Sequence, residues 1–309
     1  MIRKDQLPDI WGDDWRCTGA RQKLTCSGPE GGDRAIVLVD EADYNLFRIG
    51  SCPECQAETG DTDNLEIDFL GGSLSIYRLQ FNASERNTRL TLNMLRGGSL
   101  RIYTVTLGGR HIRNNVVVRM QAEHCELDAY GLYLMDHEQQ VDNYIFVEHA
   151  VPRCTSRTLY KGIIDDAARA RFNGHVLVQD GAVRTEAYQT NRNILLTDKA
   201  HVDTRPFLEI YNDDVKCSHG STIGQLDEQA MFYLMTRGIS QRTAQTMLSY
   251  AFCDEVVRSI ALPTLRDTVG DMVKKRLHGE LTSCADCAIA CANPCNGPDA
   301  HFAIDPGRL

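Results

Sequence analysis

Gly71-Gly72-Ser73-Leu74-Ser75-Ile76-Tyr77 returns as Gly97-Gly98-Ser99-Leu100-Arg101-Ile102-Tyr103, with Ser73 and Ser99 26 residues apart. A further step of similar size reaches Cys125-Glu126-Leu127. A unit of this length suits a solenoid whose rungs are short strands joined by turns. Strand side chains alternate between faces, so Leu74 and Ile76 would stack on Leu100 and Ile102 in one continuous interior. The glycine pairs let the chain bend where a Cβ would clash. A β-sandwich containing a chance echo is the competing architecture.

Short segments rich in β-branched and aromatic residues surround the echo. They are read as strands at Ala35–Val39, Leu65–Phe69, Leu74–Leu79, Leu90–Leu95, Leu100–Thr106, Val116–Met120, Tyr144–Glu148, Val176–Val178, Ile194–Leu196 and Phe207–Ile210. The pattern changes after Gly224. Asp227 is placed to cap a helix through Leu234, and Ser240 a second with Ala244, Met247, Leu248, Ala251 and Phe252 at helical spacing. Leu265 to Leu277 offers a third, with Val269, Met272 and Val273 on one face. Met231, Phe232, Met247 and Phe252 are assigned mainly to the core. The expected division is an N-terminal segment 1–33, a strand-built core 34–224, a helical domain 225–280 and a cysteine-rich tail 281–309.

The 309 residues carry 33 basic and 42 acidic side chains, a net charge of −9, which argues against a nucleic-acid partner. Lys274-Lys275-Arg276 is the only basic run of three and reads as a solvated helix face. No apolar run is long enough to cross a membrane, and the first residues hold no secretory signal, so a cytoplasmic location is expected. There is no phosphate-binding G-x-x-x-x-G-K-[ST] loop and no serine-nucleophile motif. Any ATP hydrolysis would therefore belong to a partner.

Twelve cysteines in a reducing compartment point to core thiols, metal ligands or reactive sulfurs rather than disulfides. Cys284, Cys287, Cys291 and Cys295 could surround one cluster or zinc ion, although their spacing matches no standard ferredoxin motif. Cys52 and Cys55 form half of a zinc knuckle without a second pair nearby. Cys125, Cys154 and Cys253 read as small core residues. At the junction of the two halves, Cys217 and His219 stand two apart in an extended segment and point to the same side. Thiolate and imidazole suit iron or zinc, and a thiolate can also accept sulfur.

Several motifs then occur in order: Ser156-Arg157-Thr158-Leu159-Tyr160-Lys161-Gly162, Phe172-Asn173-Gly174, Thr185-Glu186-Ala187-Tyr188-Gln189-Thr190-Asn191, Pro206-Phe207-Leu208-Glu209-Ile210 and Cys217-Ser218-His219-Gly220-Ser221-Thr222-Ile223-Gly224. Phe232-Tyr233-Leu234, Arg237-Gly238-Ile239, Met247-Leu248 and Ala251-Phe252 follow. From about Val141 to Val257 the chain resembles the SufB/SufD family, the scaffold components of the SUF iron–sulfur cluster assembly system. The resemblance implies a right-handed parallel β-helix followed by a C-terminal helical domain that docks the SufC-like ABC ATPase. It also implies pairing of two scaffold chains through their β-helices, a sulfur donor, and apo-protein acceptors of a transient cluster, expected to be 4Fe-4S.

At Cys-Ser-His-Gly the chain is more similar to SufD than to SufB. Carried over, His219 is the expected cluster ligand between scaffolds, with Cys217 beside it. SufB places a cysteine shortly after an Asp-Lys pair, whereas Asp198-Lys199 here leads to Ala200, His201, Val202 and Asp203. Either a partner supplies that ligand or His201 or Asp203 substitutes. The chain is short for the family and resembles the minimal SmsB type, which implies a homodimer; a SufB-like heterodimer stays open. The expectation is thus a scaffold rather than an enzyme. Two other functions compete: a polysaccharide-acting β-helix enzyme, and an electron-transfer protein using the C-terminal cysteines.

Overall fold

A computed structural model describes residues 22–26, 33–40, 44–49, 63–81 and 85–278. The strands are β1 (Gln22–Cys26), β2 (Asp33–Asp40), β3 (Tyr44–Ile49), β4 (Asn64–Phe69), β5 (Gly72–Gln80), β6 (Glu85–Met94), β7 (Gly98–Thr106) and β8 (His111–Met120). They continue as β9 (Cys125–Met135), β10 (Gln140–His149), β11 (Thr155–Ile164), β12 (Arg169–Val178), β13 (Thr185–Leu195), β14 (His201–Ile210) and β15 (Val215–Gly224). Helices α1 (Glu228–Thr236), α2 (Gln241–Ser259) and α3 (Pro263–His278) follow.

From β3 onward, consecutive strands alternate between two sheets. One sheet runs β1-β4-β6-β8-β10-β12-β14, the other β15-β13-β11-β9-β7-β5-β2-β3. All neighbours are parallel except the β2–β3 hairpin pair. This is a parallel β-solenoid, and the sandwich alternative fails because from β3 onward consecutive strands fall in different sheets, and β4 to β13 each pair in parallel with the strand two places on. The echo in the sequence is the stacking register itself: Gly72 pairs with Gly98, Ser73 with Ser99 and Leu74 with Leu100, and β9 continues with Leu127 beside Leu100. Gly71 and Gly72 turn at φ 94° and 91°, a conformation open to glycine at little cost.

Leu74, Ile76, Leu100 and Ile102 are fully buried in the interior, as their alternation predicts. Tyr77, Tyr103 and Tyr130 face the other way, stacked at 4.7 and 5.1 Å between ring centroids. Tyr77 and Tyr103 are nonetheless buried, because α2 and α3 lie across this outer face. Cys253, Val256, Val257, Val269, Met272 and Val273 pack against Leu79, Val105, Leu132 and Ile163 there.

Three polar ties pin the helices. Tyr103 Oη donates to the Ser259 carbonyl at 2.5 Å, and Lys161 Nζ donates to the Phe252 carbonyl at 2.9 Å while pairing with Glu255. On α3, Arg276 grips Asp136, Gln139 and the Leu107 carbonyl.

The helical caps fall where the residues place them: Asp227 accepts from the amides of Gln229 and Ala230, and Ser240 from that of Thr243. Two side-chain expectations are corrected. α1 buries no residue, and Phe232 and Met247 are exposed, since the face of α2 that is buried carries Ala244, Ser249, Cys253, Val256 and Val257 instead. Arg276 is buried rather than solvated, because its turn of α3 faces the loop after β9.

Candidate functional site

The solenoid ends on β14 and β15. Among the described residues each has a neighbour on one side only, β12 and β13 respectively, so there the last rung presents two strand edges whose backbone groups lack a ladder partner. Pro206 suits an edge strand, where a missing N–H is tolerated. Across the rung Thr204 Oγ1 and Ser221 Oγ meet at 2.8 Å and tie the two strands together.

Cys217 pairs with Ala187 and His219 with Gln189, and both partners are buried in the interior. Cys217 and His219 therefore share the inward face of β15. Among the described residues no rung follows β15, so Cys217 is half-buried against the last layer of the core and His219 is exposed. Burial pushes the Cys217 thiol up, opposed by a weaker backbone hydrogen bond at Ala187. The thiol is thus held protonated more firmly than a free one, and a bound cation would be needed to favour the thiolate.

The substitutes at His201 and Asp203 lie elsewhere. Val202 is buried opposite Ala170, so by alternation His201 and Asp203 project outward from the seven-stranded sheet. Asp203 is already engaged, with Arg205 Nη2 at 2.8 Å and Arg171 Nε at 3.8 Å. Within one chain they do not join Cys217 and His219. Among the described residues no three His, Cys, Asp or Glu side chains converge as a metal site. Cys284, Cys287, Cys291 and Cys295, like Cys52 and Cys55, lie outside the described residues. Cys125, Cys154 and Cys253 are buried, and contact with Cys154 together with burial pushes the Cys125 thiol up.

What the motifs did not single out is the apolar rim of this end. Phe207, Ile210, Tyr211 and Ile223 are 53%, 39%, 55% and 46% exposed, a cluster of large apolar side chains open to solvent. Apolar neighbours such as Ile210-Tyr211 depart from strict alternation, which is the signal that could have marked it. A second exposed apolar set, Phe232, Tyr233, Met235 and Met247, sits on α1 and the start of α2.

The family described as "SUF system FeS cluster assembly, SufBD core domain" matches residues 56–252. The iron–sulfur cluster assembly protein SufD of Escherichia coli is 39% identical over 177 residues, which is 57% of this chain and 42% of that protein. A SufBD family protein of Mycobacterium leprae is 36% identical over 176 residues, 54% of this chain and 45% of its own. One from Synechocystis is 35% identical over 187 residues, 60% and 39% respectively. The matched region spans less than half the length of each of these relatives. The family match covers more than half of the chain, and the chain belongs to the SufB/SufD family of iron–sulfur cluster assembly scaffold proteins.

Proposed function

We propose that this protein is a scaffold subunit on which a nascent iron–sulfur cluster is assembled at the contact between two scaffold chains and then passed to apo-protein acceptors. The cluster is cargo. The observation that carries the reading is the open last rung, where an exposed imidazole and a half-buried thiol share one face beside an apolar rim. One chain offers two ligands there, and a second chain supplies the rest, either another copy, as in the minimal SmsB type, or a SufB-like partner. His219 binds iron through a neutral ring nitrogen. Cys217 binds it once the thiol has lost its proton, or carries incoming sulfur from the donor protein.

ATP hydrolysis belongs to a SufC-like ATPase docked on the helical domain, for which Phe232, Tyr233, Met235 and Met247 form an apolar contact surface. Its motion repositions the paired scaffolds in the cytoplasm. The test is His219→Ala in anaerobic reconstitution with iron, sulfur donor and ATPase. Side-chain exposure predicts unchanged thermal stability, and the cluster yield, read from bound iron, sulfide and visible absorption, falls severalfold. A variant that assembles cluster at the native yield would overturn the assignment.

A further inference from the structure

The interior of the solenoid is not uniformly apolar. Arg78 on β5 shares the parity of Leu74 and Ile76, points inward and is 1% exposed. One nitrogen, Nη1, donates to Thr88 Oγ1 at 2.9 Å. Nε and Nη2 have no partner, and no carboxylate pairs with the guanidinium among the described residues. Arginine does not escape by losing its proton, so an uncompensated full charge sits in a low-dielectric core.

The groups around it compound the imbalance. In the eight-stranded sheet Arg78 stacks on Thr104, then Gly131, then Tyr160. A Cβ at Gly131 would lie 2.1 Å from the Tyr160 ring, so the missing side chain is what lets that ring lie over the neighbouring rung. Its phenol there interacts with Thr104 and Arg78. Burial pushes the phenol up to about 12, so it remains an O–H donor at any physiological pH. The Asn143 amide nitrogen is also buried without a partner, and the Thr104 hydroxyl meets only the Tyr160 phenol.

The nearby acceptors are already used. Asn114 Oδ1 accepts from Thr88 and Gln80 at 2.9 and 2.8 Å, Gln80 Oε1 from Thr106 and Asn114 at 2.6 and 3.0 Å, and Asn143 Oδ1 from Asn114 at 3.0 Å. What is left over is a set of donors and one positive charge. Water could accept some of these hydrogen bonds but would leave the charge unbalanced.

We infer that the solenoid interior binds a small monovalent inorganic anion, of the halide or hydrosulfide kind, against Nε and Nη2 of Arg78 with the Thr104 and Tyr160 hydroxyls completing its shell. The close packing of Ile76 and Ile102 in the same layers favours a single-centre anion over a bulky oxyanion.

The test uses the full chain crystallised from sodium bromide. An anomalous peak within hydrogen-bonding distance of Arg78 Nη2 and Nε is expected. Exposure of these crystals to sodium hydrosulfide under anaerobic conditions then separates the sources: loss of the peak assigns hydrosulfide, and its retention assigns halide. In solution, exchanging gluconate for bromide at constant ionic strength raises Tm by about 5–10 °C at saturating concentrations. Arg78→Met, which keeps much of the volume without the charge, abolishes that rise. Should that variant fail to fold, the wild-type crystals decide alone. Water density at Arg78 with bromide visible only on the surface, or a wild-type Tm indifferent to bromide, overturns the inference.

Discussion

Arg276→Met tests how the helices are held on the solenoid. The native guanidinium is 7% exposed and makes a fork on Asp136, with Nη2 to Oδ1 at 2.5 Å, while Nε donates to the Leu107 carbonyl at 2.7 Å and Nη2 to Gln139 Oε1 at 3.1 Å. Methionine keeps the stem packing and removes every one of these bonds. Breaking a buried ion pair from one side costs about 3–5 kcal/mol because the other charge is stranded. Asp136 retains 20% exposure and has His137 Nδ1 at 3.0 Å, so the lower end applies, about 3 kcal/mol. That corresponds to roughly 6–10 °C in Tm.

Urea unfolding measures the loss, and hydrogen exchange should show α3 opening first. Asp136→Asn strikes the same clamp, so a double-mutant cycle should return a coupling of about 2 kcal/mol. Burial pushes the Asp136 carboxyl up, but the Arg276 guanidinium outweighs it and holds the group below the usual carboxylate range. The stabilisation is therefore complete above the ordinary carboxylate pKa, ~3.9, and is lost as pH falls through the lowered folded value. The gap between wild type and variant must shrink in acid. A loss below about 1 kcal/mol, or a gap unchanged at low pH, would refute the reasoning.

Gly131→Ala should destabilise the solenoid by about 2–3 kcal/mol, because its Cβ meets the Tyr160 ring at 2.1 Å and a packed ring has no free end to swing away; a loss within 0.5 kcal/mol in denaturant would show that the interior can yield. Phe232→Ala, on a helix that buries nothing, should leave Tm unchanged while weakening ATPase co-purification by about 30-fold, the cost of losing an aromatic anchor. Undiminished capture would remove α1 from the docking surface. Because burial raises the Cys217 thiol, alkylation by iodoacetamide, resolved by peptide mass spectrometry, should lag that of a free thiol at pH 8 and approach it only in more alkaline buffer. A rate equal to the free thiol at pH 8 would show that this environment does not perturb it.

The register was legible because two rungs repeat nearly verbatim: Ser73 and Ser99 pair as their spacing requires. Other strands were less visible for a physical reason. β11 and β13 carry Thr158, Gln189, Asn191 and Asn193 on the inward face, buried in a polar network in which Tyr133 donates to Asn193 at 2.5 Å and Asn191 donates to Tyr133 at 3.0 Å. Inward polar residues erase the alternation by which a half-buried strand is recognised. Tyr77 and Tyr103 lie in the opposite case, outward yet covered by helices distant in the sequence. At the candidate site, the two-residue spacing of Cys217 and His219 was enough to put them on one face. That this face belongs to the final rung had no local signature, since a parallel strand reads alike whether or not another stacks upon it.

The two ends of the eight-stranded sheet differ in a way that bears on pairing. At one end β3 runs antiparallel to β2 and interrupts the parallel stack. At the other, β15 carries His219, Ser221 and Ile223 on one face with no further rung among the described residues, and β14 adds the exposed Phe207 and Ile210. Solenoids ordinarily close such an end with a polar capping repeat, because each rung is stabilised by its neighbours and a terminal rung has only one. Lys216, bound to Glu186 at 3.2 Å, guards the outer face of β15 but not the face that bears the thiol and imidazole. An end that exposes apolar side chains, with no further rung among the described residues, is stabilised most when another chain covers it. If the covering surface is the same rung of a second copy, twofold symmetry sets Cys217 and His219 of one chain against those of the other, giving four soft or borderline ligands where one chain alone has two. A heterodimer would meet the same need with a different second set, and dilution should then separate the cases: the homodimer loses cluster as it dissociates, whereas the lone chain never holds one.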